Sequence, residues 1–221
     1  MYQPKDRNEL ERLILNCYHG KIYLDEIDVS RISDMSDIFS KSYYDYKYDI
    51  SDIDKIFKSV YNDISDWDVR GVKNMNSMFK LIKLPDFIDI SNWNVSSVTN
   101  MGSMFSGCEF NQDLSKWCVK NVKNLSNMFY ISSFSRERSI DDISEWVTYL
   151  DKNVNMDNFY PGIDSYEDFV KLVNWDRVKQ HIINKISSSE SHLEQLEYLK
   201  LANRVSDIER IFRGVNSGIS I

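Results

Sequence analysis

Glycine and proline are scarce. Seven glycines and three prolines in 221 residues leave little material for long, punctuated loops. The three cysteines, Cys17, Cys108 and Cys118, form no CxxC or comparable pair. That excludes a disulfide framework and a cysteine zinc site, and it fits a reducing compartment. His19, His181 and His192 are far apart, and none has a metal-ligating neighbour three or four residues away. No GxGxxG, P-loop, GxSxG or HExxH pattern is present. No apolar run is long enough to span a bilayer. The segment Met1 to Leu10 is charged and lacks the apolar stretch of a signal peptide. The expectation is a protein without catalytic residues, cofactor, metal or membrane span. Its expected place is the cytoplasm, or a cell surface only if a longer precursor exists.

Basic excess is also missing. The net charge is −7, which argues against direct nucleic-acid binding through an extended cationic face. Residues 21–68 hold twelve acids against six bases, so nearly all of the excess sits there. Hydrophobic residues make up 42% and aromatics 13%, enough for a folded chain with a sizeable core.

What is present is a repeat. Trp93, Val95, Val98, Asn100, Met101, Met104 and Phe105 recur at the same offsets. The earlier copy is Trp67, Val69, Val72, Asn74, Met75, Met78 and Phe79. The later one is Trp117, Val119, Val122, Asn124, Leu125, Met128 and Phe129. The spacing from one Trp to the next is 26, then 24 residues. Repeats decide architecture before any other reading.

In chain order, residues 6–18 carry Leu10, Leu13, Ile14 and Cys17 on one helical face. Asp6 and Glu9 give a capping pattern, and Gly20 gives a stop. A degenerate copy follows, with Ile27 in the Trp place and Asp34 in the Asn place. Residues 40–63 then form an acidic, Tyr-rich insert. After the three good copies, a weaker one begins at Ile143 and Trp146 and places its Asn at Asn153. From Ser165 the spacing becomes helical, in segments 165–187 and 191–213, with Gly214 as the stop.

Within a copy, Trp and Val two residues apart point to one side of an extended strand. The apolar positions that follow have helical or 3₁₀ spacing. One such unit cannot bury its own apolar face, but stacked units can. The expected fold is therefore an α/β solenoid, with an N-terminal cap helix and a C-terminal helical pair. Its domains would be 1–20 (cap), 21–160 (repeats, with the insert at 40–63) and 161–221 (a helical pair that caps the last coil or forms a small domain of its own). The pattern W-x-V-x-x-V-x-N-M-x-x-M-F, with Phe110 to Leu114 ahead of the next Trp, resembles the BspA-family leucine-rich-repeat proteins and their Mycoplasma-type surface repeats. The resemblance covers about residues 24–159. It implies a leucine-rich-repeat-like right-handed coil of short strands and helical turns. It also implies protein binding or adhesion at a surface, and no catalysis.

The fixed letters read as coil-building. Trp67, Trp93, Trp117, Phe79, Phe105 and Phe129 fill the interior, and Asn74, Asn100 and Asn124 form a ladder at the turn. Function is then expected in the letters that vary and in the insert. The candidate partner contacts are Arg70, Lys73, Lys120 and Lys123 in the columns. In the insert they are Tyr43, Tyr44, Tyr46, Tyr48, Asp45, Asp49, Asp52 and Asp54, since Tyr favours interfaces. The expected partner is another protein. The first alternative is an acidic decoy, such as a phage-type inhibitor, that occupies a nucleic-acid-binding protein. The second is an enzyme with a site between the solenoid and the C-terminal helices.

Overall fold

The computed structural model describes residues 1–137, 140–189 and 191–212. Gly214, expected to end the last helix, lies outside them. Among the described residues there are six α-helices: α1 (Arg7–Tyr18), α2 (Lys41–Tyr48), α3 (Ser133–Glu137), α4 (Tyr166–Leu172), α5 (Trp175–Ser188) and α6 (His192–Phe212). Short 3₁₀ segments lie at Leu24–Glu26, Ile53–Lys58, Val60–Asn62 and Ile140–Thr148.

The α/β class is corrected. Among the described residues there is no β-strand, only isolated bridges, of which a parallel series joins Asp34, Asn74, Asn100, Asn124 and Asn155 in sequence. The coils stack, but they are built from turns. The Trp–Val stretch is folded by bonds such as Trp67 N–H to Ile64 C=O and Val72 N–H to Val69 C=O, with equivalents in the next two copies. After the Asn, the N–H groups of Met75, Ser77 and Phe79 donate to Asn100, Gly102 and Met104 of the next coil. In a parallel sheet the carbonyls of Met75 and Ser77 would bond across as well. Here they accept from Met78 and Lys80 of their own coil. The geometry needs a left-handed residue three after the Asn: Asp37, Ser77, Ser103, Asn127 and Asn158 all have φ between 51° and 57°. Asx turns set up to three corners in a coil, since each short carboxylate or amide captures the N–H two residues on. The first corner has Asp63, Asp89 and Asp113, and the second has Asp28, Asp68 and Asn94. The third has Asp34, Asn74, Asn100, Asn124 and Asn155.

The Asn of the fifth copy is also corrected. Asn155 occupies the ladder, nine residues after Trp146 where the other copies use seven. Asn153 lies at the second corner, bonded to Asp151.

The interior is aromatic. Phe39, Phe79, Phe105 and Phe129 stack with ring centroids 5.7–6.0 Å apart and planes within 12°. Each indole N–H crosses to a carbonyl of the preceding coil: Trp67 to Leu24, Trp93 to Ile64, Trp117 to Ile90 and Trp146 to Leu114, at 3.0–3.2 Å. The polar edge of each Trp is thereby satisfied in a dry core.

Both ends of the ladder are closed by side chains. Arg7 Nε of α1 donates to the Ser36 carbonyl of the first coil at 2.7 Å. The Asp164 carboxylate accepts the N–H of Asn158 in the fifth coil at 2.9 Å. Beyond the coils, the segment read as one helix over 165–187 is two. Val173 and the capping Asn174 separate α4 from α5. Helix α6 packs on α4, α5 and the Ile140–Thr148 segment, held by Lys179–Glu209 at 2.6 Å and by Arg204 on the Leu150 carbonyl. Among the described residues no helix is long and apolar enough to cross a membrane.

Candidate functional site

The Tyr-rich insert is mostly structural. Its first part forms α2, capped by Ser40. Tyr44 is fully buried. Tyr43, Lys47 and Tyr48 converge on Glu11 of α1, whose side chain is 3% exposed. Glu11 Oε2 accepts from Arg7 at 2.9 Å and Tyr43 at 3.0 Å. Oε1 accepts from Lys47 at 2.6 Å and from the Tyr48 hydroxyl. Burial pushes the Glu11 carboxyl up, but the bonds from Lys47, Tyr48 and Tyr43 outweigh it and hold the carboxyl below its ordinary value. Asp52 is held by Tyr18 and Lys55, and Asp54 is half-buried. Only Tyr46, Asp45 and Asp49 of the insert candidates stand clear of such contacts; Tyr46 is 94% exposed.

The column candidates fall on one face, between the second and third corners. The N–H of Lys73 donates to Ser33, that of Thr99 to Lys73, and that of Lys123 to Thr99. Residues 33, 73, 99 and 123 are therefore joined backbone to backbone across four coils. A parallel row holds Arg70, Ser96 and Lys120, tied by Asn121 Nδ2 to the Ser96 carbonyl. Arg70 is neutralised by a two-pronged pair with Asp68 at 2.7 and 2.8 Å. Lys73, Lys120 and Lys123 are exposed and form no ion pair among the described residues.

The remaining groups that carry chemistry are dispersed. Burial raises the Cys17 thiol to about 12 and pushes Cys108 up as well, so neither is a poised nucleophile. Cys118 is half-buried at the second corner of the fourth coil. Burial lowers the pKa of His181. Among the described residues no group of three His, Cys, Asp or Glu is placed to share a metal ion.

Glu11, Arg7 and Asp164 are central to the structure, but sequence reasoning missed them. Glu11 and Arg7 reach partners 29 to 37 residues along the chain, at Ser36, Tyr43, Lys47 and Tyr48, which no local pattern reveals. Asp164 meets Asn158 only six residues away, but that spacing is no recognised turn signal. The Asx corners did have a signal: Asp or Asn two residues before Ser at Asp63, Asp89 and Asp113.

A family model for Mycoplasma proteins of unknown function, DUF285, matches residues 48–175. No curated protein and no solved structure matches the chain. The match begins in the insert, spans the four coils that follow it and ends at the start of α5. With more than half of its residues in that span, the chain belongs to the DUF285 family of Mycoplasma proteins of unknown function.

Proposed function

We propose that the chain is a non-catalytic protein-binding module. The end helices, α1 before the coils and α4 to α6 after them, hold the stack, and the face between the second and third corners meets the partner. The observation that carries this reading is the backbone-joined row Ser33, Lys73, Thr99 and Lys123. It offers a set of side chains in register across four coils, of which only the Thr99 hydroxyl, on the Lys73 carbonyl, serves the stack itself. Stacked repeats use such rows to bind extended partners. A photo-crosslinking residue at Thr99, compared with one at the exposed Lys58, tests it. The expected result is a discrete protein adduct from position 99 that is missing from position 58. Identical adducts from both positions, or none from either, would defeat the reading.

A second reading, the acidic decoy, is favoured by one observation. A groove beside the first two coils is lined by Asp25, Asp28, Asp63, Asp66 and Asp68. Asp25 and Asp66 meet no cation among the described residues. Competition with DNA for a basic protein, lost in Asp25→Asn/Asp66→Asn, supports it. Binding that ignores both salt and this variant removes it.

A further inference from the structure

Charge along the binding face changes sign from one end of the stack to the other. At the first coil it holds Asp28, Arg31 and Asp34, and at the second Asp68, Arg70 and Lys73. The third coil has no charge there. The fourth has Lys120 and Lys123 alone, and the fifth has Asp151 and Lys152. The chain is acidic as a whole, yet this end of the face is cationic.

The same end is concave. The fifth coil carries two extra residues between Trp146 and Asn155, and its second corner at Asp151 stands four residues before the ladder Asn155 where the second and third coils use six. A groove between the fourth and fifth coils has a volume of about 330 Å³ and is lined by Lys120, Asn121, Val122, Lys123, Asp151, Asn153 and Val154. Val122 and Val154 are buried beneath it. The Asp151 carboxylate is turned to its own corner, where it accepts from the N–H and the side-chain amide of Asn153. Neither lysine is paired with it.

We propose that this groove and the row leading into it bind an extended acidic peptide, with its carboxylates over Lys120, Lys123 and Lys73. The inference rests on the protein-binding reading and names its partner class. Spacing supports it. Neighbouring coils are one parallel bridge apart, roughly 4.8 Å, so Lys73 and Lys123 stand about 10 Å apart. An extended chain rises about 3.3 Å per residue, so a carboxylate at every third residue meets a lysine. Thr99 fills the step between with a hydroxyl already bonded to the Lys73 carbonyl, which leaves room for a small polar residue. A nucleic acid fits less well. The rows carry no aromatic ring for a base to stack on, and Arg70 beside the lysines is already neutralised by Asp68.

The test uses the full chain and a fluorescent peptide of repeated Asp-Glu-Ser units, read by anisotropy. Binding is expected, weakening at least tenfold between low and high salt. Lys120→Glu/Lys123→Glu should weaken it at least tenfold, and the milder Lys120→Gln/Lys123→Gln severalfold, with thermal melts unchanged. Lys58→Glu/Lys185→Glu alters net charge equally at exposed sites off the face and should bind as the parent does. Equal binding of a Gln-Gly-Ser peptide would overturn the proposal. So would indifference to the groove variants, or an oligonucleotide that binds as tightly. Absence of peptide binding beside a persisting adduct at Thr99 would refute the acidic class alone. Absence of both would remove the binding module as well.

Discussion

The coil stack and the α1–α2 junction solve the same problem in opposite ways. Both bury polar groups. In the coils the recurring polar groups are satisfied by a near neighbour or by the adjacent coil, in one repeated arrangement: indole to carbonyl, carboxylate or amide to N–H two residues on. At the junction, one carboxylate gathers Arg7 from its own helix and Tyr43, Lys47 and Tyr48 from α2, more than thirty positions along the chain. Stability in the coils is spread and repeated. At the junction it is concentrated in one side chain. Damage to a coil should therefore scale with the volume removed, and damage to the junction with the charge left alone.

The largest effect is expected in the coils. Trp93 is 4% exposed and lies against Phe79, with its indole N–H on the second coil. Trp93→Ala should cost about 3–5 kcal/mol, the range for truncating a large buried aromatic. Chemical denaturation measures it. A loss below about 1 kcal/mol would mean that the coil closes over the gap, and the contrast with the junction would fail.

Glu11→Ala comes next. Removing one partner of a buried ion pair costs about 3–5 kcal/mol when the other is stranded. Here Lys47 is 41% exposed and Arg7 18%, so both can recover water and the lower end, about 3 kcal/mol, is expected. The pH dependence adds a second readout. The folded carboxyl lies below the ordinary value of 4.5. Its contribution is then fully present above that value and is lost as pH falls through the depressed folded value. Glu11→Gln should flatten this acid limb, while Trp93→Ala should leave it intact. An unchanged acid limb in Glu11→Gln would show that other carboxylates control acid unfolding.

A smaller effect tests how tightly the third corner is packed. A Cβ on Gly102 would sit 2.7 Å from Asn124 Nδ2 and 2.9 Å from Asn76 Oδ1. Gly102→Ala should therefore cost about 1–3 kcal/mol through overpacking. Neutrality in a thermal melt would mean that the amide column can shift.

These contrasts also explain what the sequence could reveal. Spacing identified the interior letters because Trp, Val, Met and Phe must recur wherever coils stack. It misassigned the backbone, since alternation of Trp93 and Val95 is as compatible with a turn as with a strand. The deciding residues, Asp89, Asn94 and Asn100 with their N–H partners two positions on, are short polar side chains that look like ordinary surface. The left-handed Ser103 carries no glycine to mark it. The fifth coil slipped by two residues because Asn153 and Asn155 both match the pattern. The contacts across to the fourth coil, Leu125 N–H to Asn155 and Asn155 N–H to Lys123, distinguish them. Of the candidate binding residues, the lysine rows followed from the repeat, whereas the tyrosines were spent on Glu11, which no spacing rule connects to them.

The smallest expected effect bears most directly on function. Asn94 caps the second corner of the third coil by accepting from the N–H and hydroxyl of Ser96. The fourth coil has Cys118 in that place, yet keeps the same turn, with Val122 N–H on Val119 C=O at 3.0 Å. The cap is exposed, so water can replace it. Asn94→Ala should therefore cost below about 0.5 kcal/mol, while Asn124→Ala at the third corner should cost about 1–2 kcal/mol. Asn124 bonds both the Ser126 N–H and the neighbouring Asn100. Melts of the two variants side by side decide the matter. Equal losses would make both corners structural and leave the face beside the second no freer than the rest. An unequal result means that the second corner and the rows next to it can change residue without loss of the fold, which is the freedom a binding face requires.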